Sequence, residues 1–411
     1  MNHTNEKERL DPFRRIVPII LWFILGLLTC LVAAKASILY PASALEKQIP
    51  IWPPSQPWVE YLQRTFIHPL FRWDALYHFL NITTVGYDPI NGTSAFYPLF
   101  PLTAKLLTFI GLDPFISLLF VSYLASLGFI LVFERLARFD LSMQQASWSV
   151  ILLVLFPISM LLFIPYLDSS FLFFAALTLY FARQKRWWVA GLAGMMATFA
   201  KQPGIFLVIP LAVALWLDCP ENRRWSWQAL KNWISVGLIP LAMAIWTLYR
   251  ILVIEKTIPD MSNLQKLILA LLVSSNPGGM VGIRPFAWPW QVIIEAINAA
   301  IQNPGVRTHV LFNLGGYCAV VFLLILTWKH LRPSYRAYSL TLLVFTLLDF
   351  SFNICSHPVP SLFRHAYLAF PIFIPVPLLL EKKGAKMIYA AFSLVFFLIL
   401  VFAYVLQSWI I

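Results

Sequence analysis

Phe71-Arg72-Trp73-Asp74-Ala75-Leu76-Tyr77-His78-Phe79 places a carboxylate between a guanidinium, two aromatic rings and an imidazole. Asp74 can take a proton from a hydroxyl, and Arg72 and His78 can hold an anionic group. Trp73 and Tyr87 offer flat apolar faces of the kind that anchor a chain at the lipid-water boundary or lie under a sugar ring. Three further polar positions stand out against apolar surroundings. Asp168 follows Pro165-Tyr166, Lys201-Gln202 sits in the break Phe199-Ala200-Lys201-Gln202-Pro203-Gly204, and Arg364-His365 precedes Ala366-Tyr367. A lone Lys or Arg at such a place either snorkels to the interface or faces a polar cavity. Asp168 equally suits a helix N-cap, where it would satisfy free amides at the positive end of the dipole. Arg284, among Pro and Trp residues, reads mainly as an interface anchor.

These residues need a scaffold, and composition defines its class. The chain has 411 residues, 60% hydrophobic and 12% charged, with a net charge of +12. A soluble domain is about half apolar and a quarter charged, so this chain reads as an all-α polytopic membrane protein of about eleven spans. Lys and Arg lie in short clusters between apolar runs, which is a topological pattern and not a nucleic-acid surface. Cys30, Cys219, Cys318 and Cys355 are too scattered for a disulfide framework or a metal site. No nucleotide-binding glycine loop is present, and a need for a divalent metal is left open.

The first expected span is Ile16–Tyr40, after a polar tail with Lys7, Arg9, Arg14 and Arg15. A long first outer loop over 41–114 carries the Asp74 stretch, and its 96–110 part is apolar enough for an interfacial helix. Further spans are expected at 115–133, 146–164, 171–181, 189–200, 205–217, 233–254, 310–328, 337–352, 366–380 and 387–411, with a second outer loop over 255–308. The pair flanking Lys201 is short and suits a re-entrant or broken arrangement. With the N-terminus in the cytoplasm, the links at 134–145, 182–188, 218–232, 329–336 and 381–386 all fall inside and all carry Lys or Arg, as the positive-inside rule requires. The Asp74 loop, the Asp168 turn, the Lys201 break and Arg364-His365 then share the non-cytoplasmic face. The whole of 1–411 reads as one integral-membrane domain.

Two carboxylates and several cations on one membrane face suit sugar transfer from a lipid-linked phosphosugar. Cations hold the phosphate as it leaves, and a carboxylate takes the acceptor proton. The chemistry passes through an oxocarbenium-like state, and direct displacement with a single base inverts the anomeric carbon.

Arg72-Trp73-Asp74-Ala75, then Gly86-Tyr87, then Ala95-Phe96-Tyr97-Pro98-Leu99-Phe100-Pro101 resemble the first-loop signature of the PIG-V-type GPI mannosyltransferases and their prokaryotic relatives. The Pro-Tyr-x-acid turn at Asp168, the basic break at Lys201, and Arg364 ahead of Tyr367, Phe370 and Pro371 extend the resemblance. It implies a GT-C-type multi-span bundle and transfer of mannose from a polyprenyl or dolichyl phosphate outside the cytoplasm. The acceptor would be a glycolipid, a glycan or a protein. It further implies Asp74 as base, and Asp168 is the next candidate for a catalytic carboxylate. Lys201, Arg364, Arg72 and His365 would hold donor phosphate, and Trp73, His78, Tyr87, Tyr166 and Gln202 would hold sugar or acceptor. The alternatives are a related enzyme moving another lipid-linked sugar and, in a different class, a transporter or flippase of lipid-linked sugars. No second copy of the Asp74 stretch or of the Lys201 break is visible, which weighs against a transporter built from internal repeats.

Overall fold

A computed structural model describes residues 12–39, 57–88, 93–221, 226–254, 281–283, 286–355 and 358–406. The N-terminal tail before Pro12, Arg223-Arg224, Asn276–Gly279, Arg284 and Ser356-His357 lie outside the described residues. Among the described residues the regular structure is helical apart from one antiparallel pair, β1 (Val281–Ile283) with β2 (Asn353–Cys355). In order, the helices used below are α1 (Pro12–Leu39), α2 (Leu99–Thr108), α3 (Pro114–Ala137), α4 (Met143–Val154), α5 (Asp168–Arg183), α6 (Trp187–Ala200) and α7 (Val208–Asp218). They continue with α8 (Trp227–Tyr249), α9 (Pro289–Gln302), α10 (Pro304–Thr327), α11 (Pro333–Phe352), α12 (Leu362–Tyr367) and α13 (Lys383–Val405). Among the described residues, five helices are long and apolar enough to cross a membrane: α1, α3, α8, α10 and α13. Local chemistry sets several of the starts. Asp113 caps α3 by accepting from the amides of Phe115 and Ile116 at 2.8 and 3.3 Å, with Pro114 in the first turn. Ser142 and Gln145 form a reciprocal capping box on α4.

Two expected spans differ from what the structure contains. The run 146–164 is helical only to Val154, because Pro157 lacks the amide an α-helix needs, and a 3₁₀ turn follows over Pro157–Leu162. The run 366–380 is divided by Pro371, Pro375 and Pro377 into the end of α12, a 3₁₀ turn at Phe370–Phe373 and a short helical turn at Val376–Leu379. Tyr367, Leu368, Phe370, Ile372 and Phe373 are fully buried. This segment is apolar because it is interior core, not because it faces lipid.

The expected outer loops are built structures where they are described. In the first, Leu70, Phe71, Ala75, Phe79 and Phe100 are fully buried in the main core. Phe71 meets Phe115 of α3 edge-on at 4.6 Å. The Tyr404 hydroxyl of α13 donates to the carbonyls of Leu70 and Arg72 at 3.0 and 3.2 Å. The first loop is therefore fastened by the last helix. The expected interfacial helix is α2. The second loop contains α9, whose Val292, Ala296 and Ala300 face the protein while Trp290, Ile294, Ile297 and Ile301 are exposed. The run 337–352 extends back to Pro333 as α11.

The pair around Lys201 is broken, as its length suggested. Lys201 is extended (φ −160°, ψ 144°), and a 3₁₀ turn over Gln202–Leu207 connects it to α7. This turn folds back onto α6 so closely that a Cβ on Gly204 would lie 2.5 Å from backbone atoms of Ala197 and Thr198. Those atoms cannot move aside. Gly204→Ala is expected to destabilise the protein by about 1–3 kcal/mol, the usual cost of overpacking, and thermal unfolding in detergent measures it.

Candidate active site

The helical hairpin α5–α6 brings Asp168, at its first residue, beside Lys201, just past its last. α5 packs between α3 and α6, and α6 packs on α8. Asp168 does not cap its helix: the N-cap is Leu167 and no side chain bonds the first amides. The Asp168 side chain instead turns to two cations. Its Oδ1 accepts from Lys201 Nζ at 2.6 Å, and its Oδ2 accepts from Arg364 Nε and Nη2 at 3.0 and 2.7 Å. The carboxylate is fully buried. A buried charge is tolerated only when paired and well hydrogen-bonded, and these three bonds meet that condition.

Arg364 belongs to α12, whose N-cap Ser361 has φ 58°. Its guanidinium lies 4.6 Å over the Tyr166 ring, which itself meets Phe79 and Tyr404 edge-on. Its remaining nitrogen, Nη1, reaches Asp74 Oδ2 at 3.3 Å. One arginine thus bridges both acids. Asp74 follows Trp73, which has φ 50°, a conformation uncommon outside glycine and a form of backbone strain that clusters at functional sites. A π-helical turn over Ala75–Phe79 follows. The Asp74 side chain is 29% exposed, against 0% for Asp168.

What exposes Asp74 is a cavity of about 210 Å³. Asp74, Lys201, Gln202, Arg364 and His365 line it, together with Phe96 and Tyr97 of the first loop. One face of α11, with Leu342, Phe345, Thr346 and Asp349, lines it too. Asp168 is fully buried and is not among the residues that line the cavity. Tyr166, 1% exposed, is the seat of Arg364 and offers no face to a sugar. Arg72 is buried with its Nε donating to the Val405 carbonyl at 3.2 Å, which makes it a brace between the loop and α13.

Trp73, His78 and Tyr87 are not among the described residues that line the cavity. Tyr87 donates to the Phe96 carbonyl at 3.2 Å and packs on Trp246. His78 lies against Phe96 with ring centroids 4.6 Å apart. Burial pushes the His78 imidazole below its usual range, with the Asp74 carboxylate only partly opposing. Sequence reasoning missed Asp349 because its run was assigned to an ordinary span. A single acid within an apolar helix was the available signal. Among the described residues no group of three or more His, Cys, Asp or Glu side chains is placed to hold a metal.

Arg364→Lys tests the bridge. An ammonium is a single point charge and cannot match the fork that spans Asp168 and Asp74. Loss of one or two charge-assisted hydrogen bonds is expected to lower stability by about 1.5–3 kcal/mol, read by thermal unfolding.

Fold and cavity together define an all-α membrane protein with a charged internal cavity. No protein-family model and no curated protein matches the chain. The chain is similar to a solved structure of the Archaeoglobus fulgidus oligosaccharyltransferase tethered to an acceptor peptide, with 13% identity and a TM-score of 0.42. It is similar also to the archaeal oligosaccharyltransferase AglB from Archaeoglobus fulgidus in complex with an inhibitory peptide and a dolichol-phosphate, with 12% identity and a TM-score of 0.40. Each alignment covers 95% of this chain, which spans little more than half of those proteins, 55% and 56%.

Proposed function

We propose that the chain is an inverting glycosyltransferase of the GT-C type. It moves mannose from a polyprenyl or dolichyl phosphate to a hydroxyl of a glycolipid, glycan or protein. Its N-terminus is cytoplasmic and its cavity opens on the non-cytoplasmic side. The observation that carries this reading is the meeting of Asp74 with Arg364 and Lys201 at one cavity. Displacement at an anomeric carbon needs a base for the incoming hydroxyl and cations for the departing phosphate, close together and shielded from water.

In the proposed reaction, the acceptor oxygen bonds to the anomeric carbon and its proton passes to Asp74. The bond from that carbon to the phosphate oxygen breaks, and its electron pair leaves with the lipid phosphate. Lys201 and Arg364 take up that charge, with His365 and Gln202 beside them in the cavity wall. Asp168 does not touch substrate in this scheme. It is a positioning residue that keeps two cations side by side.

The test uses purified protein in detergent, radiolabelled polyprenyl-phosphate mannose and a host membrane lipid extract. Appearance of a new labelled product supports the enzyme. Absence of product, together with movement of labelled lipid across proteoliposome membranes, would replace it with a transporter. Parallel assays with glucose- and pentose-bearing lipids decide the sugar.

A further inference from the structure

The segment 358–363 is pinned to α10 at both ends. His309 Nε2 donates to the Pro358 carbonyl at 3.1 Å, and the Asn313 side-chain oxygen accepts from the Phe363 amide at 3.2 Å. Between these anchors Val359 and Ser361 have φ 44° and 58°. Such values are uncommon outside glycine, and for a β-branched residue they are an outlier. Strain of this kind persists only where the surroundings over-determine it, and it clusters at functional sites. Among the described residues the other non-glycine positions with positive φ are Trp73 and Lys185, and Trp73 adjoins Asp74. Three of these four positions thus lie in or next to the cavity wall, since Asp74, Pro360 and Ser361 all line it.

What the strained segment presents there is a hydroxyl. The hydroxyl-bearing residues that line the cavity are Tyr97, Thr346 and Ser361. The Tyr97 hydroxyl reaches the Met243 sulfur at 3.0 Å, and Thr346 Oγ1 donates to the Leu342 carbonyl at 2.7 Å. Ser361 holds the N-cap position of α12, where serine commonly bonds a free amide. Its side chain makes no such bond and bonds no other described group. A serine hydroxyl both donates and accepts, as a sugar hydroxyl does, and the amide of Gln202 on the same cavity has both capacities too. Ser361 and Gln202 stand close in sequence to Arg364 and Lys201 respectively. The cations suit a phosphate. The neutral groups that accompany them suit the uncharged part of the same molecule.

We infer that the Ser361 hydroxyl, together with the Gln202 amide, binds hydroxyls of the sugar being transferred and lets the site tell a sugar-bearing lipid phosphate from the bare lipid phosphate. This rests on the transferase reading and adds to it a residue that recognises the donor sugar.

The experiment compares binding of polyprenyl-phosphate mannose and of polyprenyl phosphate to the full-length protein in detergent, for wild type, Ser361→Ala and Ser361→Gly. Alanine removes the hydroxyl and keeps the strained backbone. Glycine removes the hydroxyl and is at ease at positive φ, so it keeps the test open if the alanine variant fails to fold. Wild type is expected to prefer the mannose-bearing lipid. Both variants are expected to weaken that lipid by about threefold to tenfold, the worth of one neutral hydrogen bond, without weakening the bare lipid phosphate. Parallel weakening of both lipids would make Ser361 a phosphate ligand or a structural residue and overturn the inference. An unchanged preference in the variants, or none in wild type, would overturn it too. In those cases the transferase reading stands, because wild type still binds the donor. Wild type binding neither lipid would remove both.

Discussion

Asp74→Asn is expected to lower the turnover number for sugar transfer by about 10²–10⁴-fold, the range over which a positioned general base acts. Asparagine keeps the size of the side chain and an oxygen for Arg364, but it cannot accept the acceptor proton. Stability should hardly change. The Asp74–Arg364 contact is long, at 3.3 Å, and Asp74 is 29% exposed, so the pair resembles surface ion pairs worth about 0–1 kcal/mol. Donor affinity should be kept or improved, because Arg364 is released from a competing anion. Initial rates, donor binding and thermal unfolding of the two proteins separate these effects. Equal turnover by mutant and wild type would reduce Asp74 to a partner of Arg364.

Asp168→Asn should act in the opposite way, chiefly on the fold. It leaves Lys201 and Arg364 buried, with side-chain exposures of 11% and 7%, and without their shared counter-ion. Breaking a buried pair by removing one partner costs about 3–5 kcal/mol. Arg364 keeps only its longer contact to Asp74, so the penalty falls on both cations, and Lys201 loses its one acidic partner of the network. Adding Lys201→Met to the mutant should therefore recover part of the loss, and a double-mutant cycle on unfolding free energies measures the coupling. A mutant that unfolds like wild type yet has lost transfer would show that Asp168 reaches the substrate after all.

The membrane class was legible from composition, and α1, α3, α8, α10 and α13 were legible because each is a long apolar helix. Residues 366–380 were not. An apolar run looks the same whether it meets lipid or protein, and only Pro371, Pro375 and Pro377 signalled a different fate. The site was legible to the extent that charge in an apolar setting is costly, which singled out Asp74, Lys201 and Arg364. Which face a side chain occupies is tertiary information. For that reason Arg72 and Tyr166, chosen by residue type, became a brace and a seat. Asp168 was visible as an acid, but its partner Arg364 lies 196 residues away, beyond any local pattern.

The sequence separations within the charge network also bear on how the chain is made. Asp168 and Lys201 are 33 residues apart, at the same end of one hairpin. Their pair can close as soon as α5 and α6 have left the ribosome, and a hairpin whose opposite charges cancel meets less resistance in hydrocarbon than either charge alone. Arg364 is synthesised long afterwards. It is supplied to the network by α12, 196 residues after Asp168. A nascent chain halted before α12 has the Asp168–Lys201 pair but lacks the second cation of the network. The charge network is in this sense completed only by the C-terminal part of the chain.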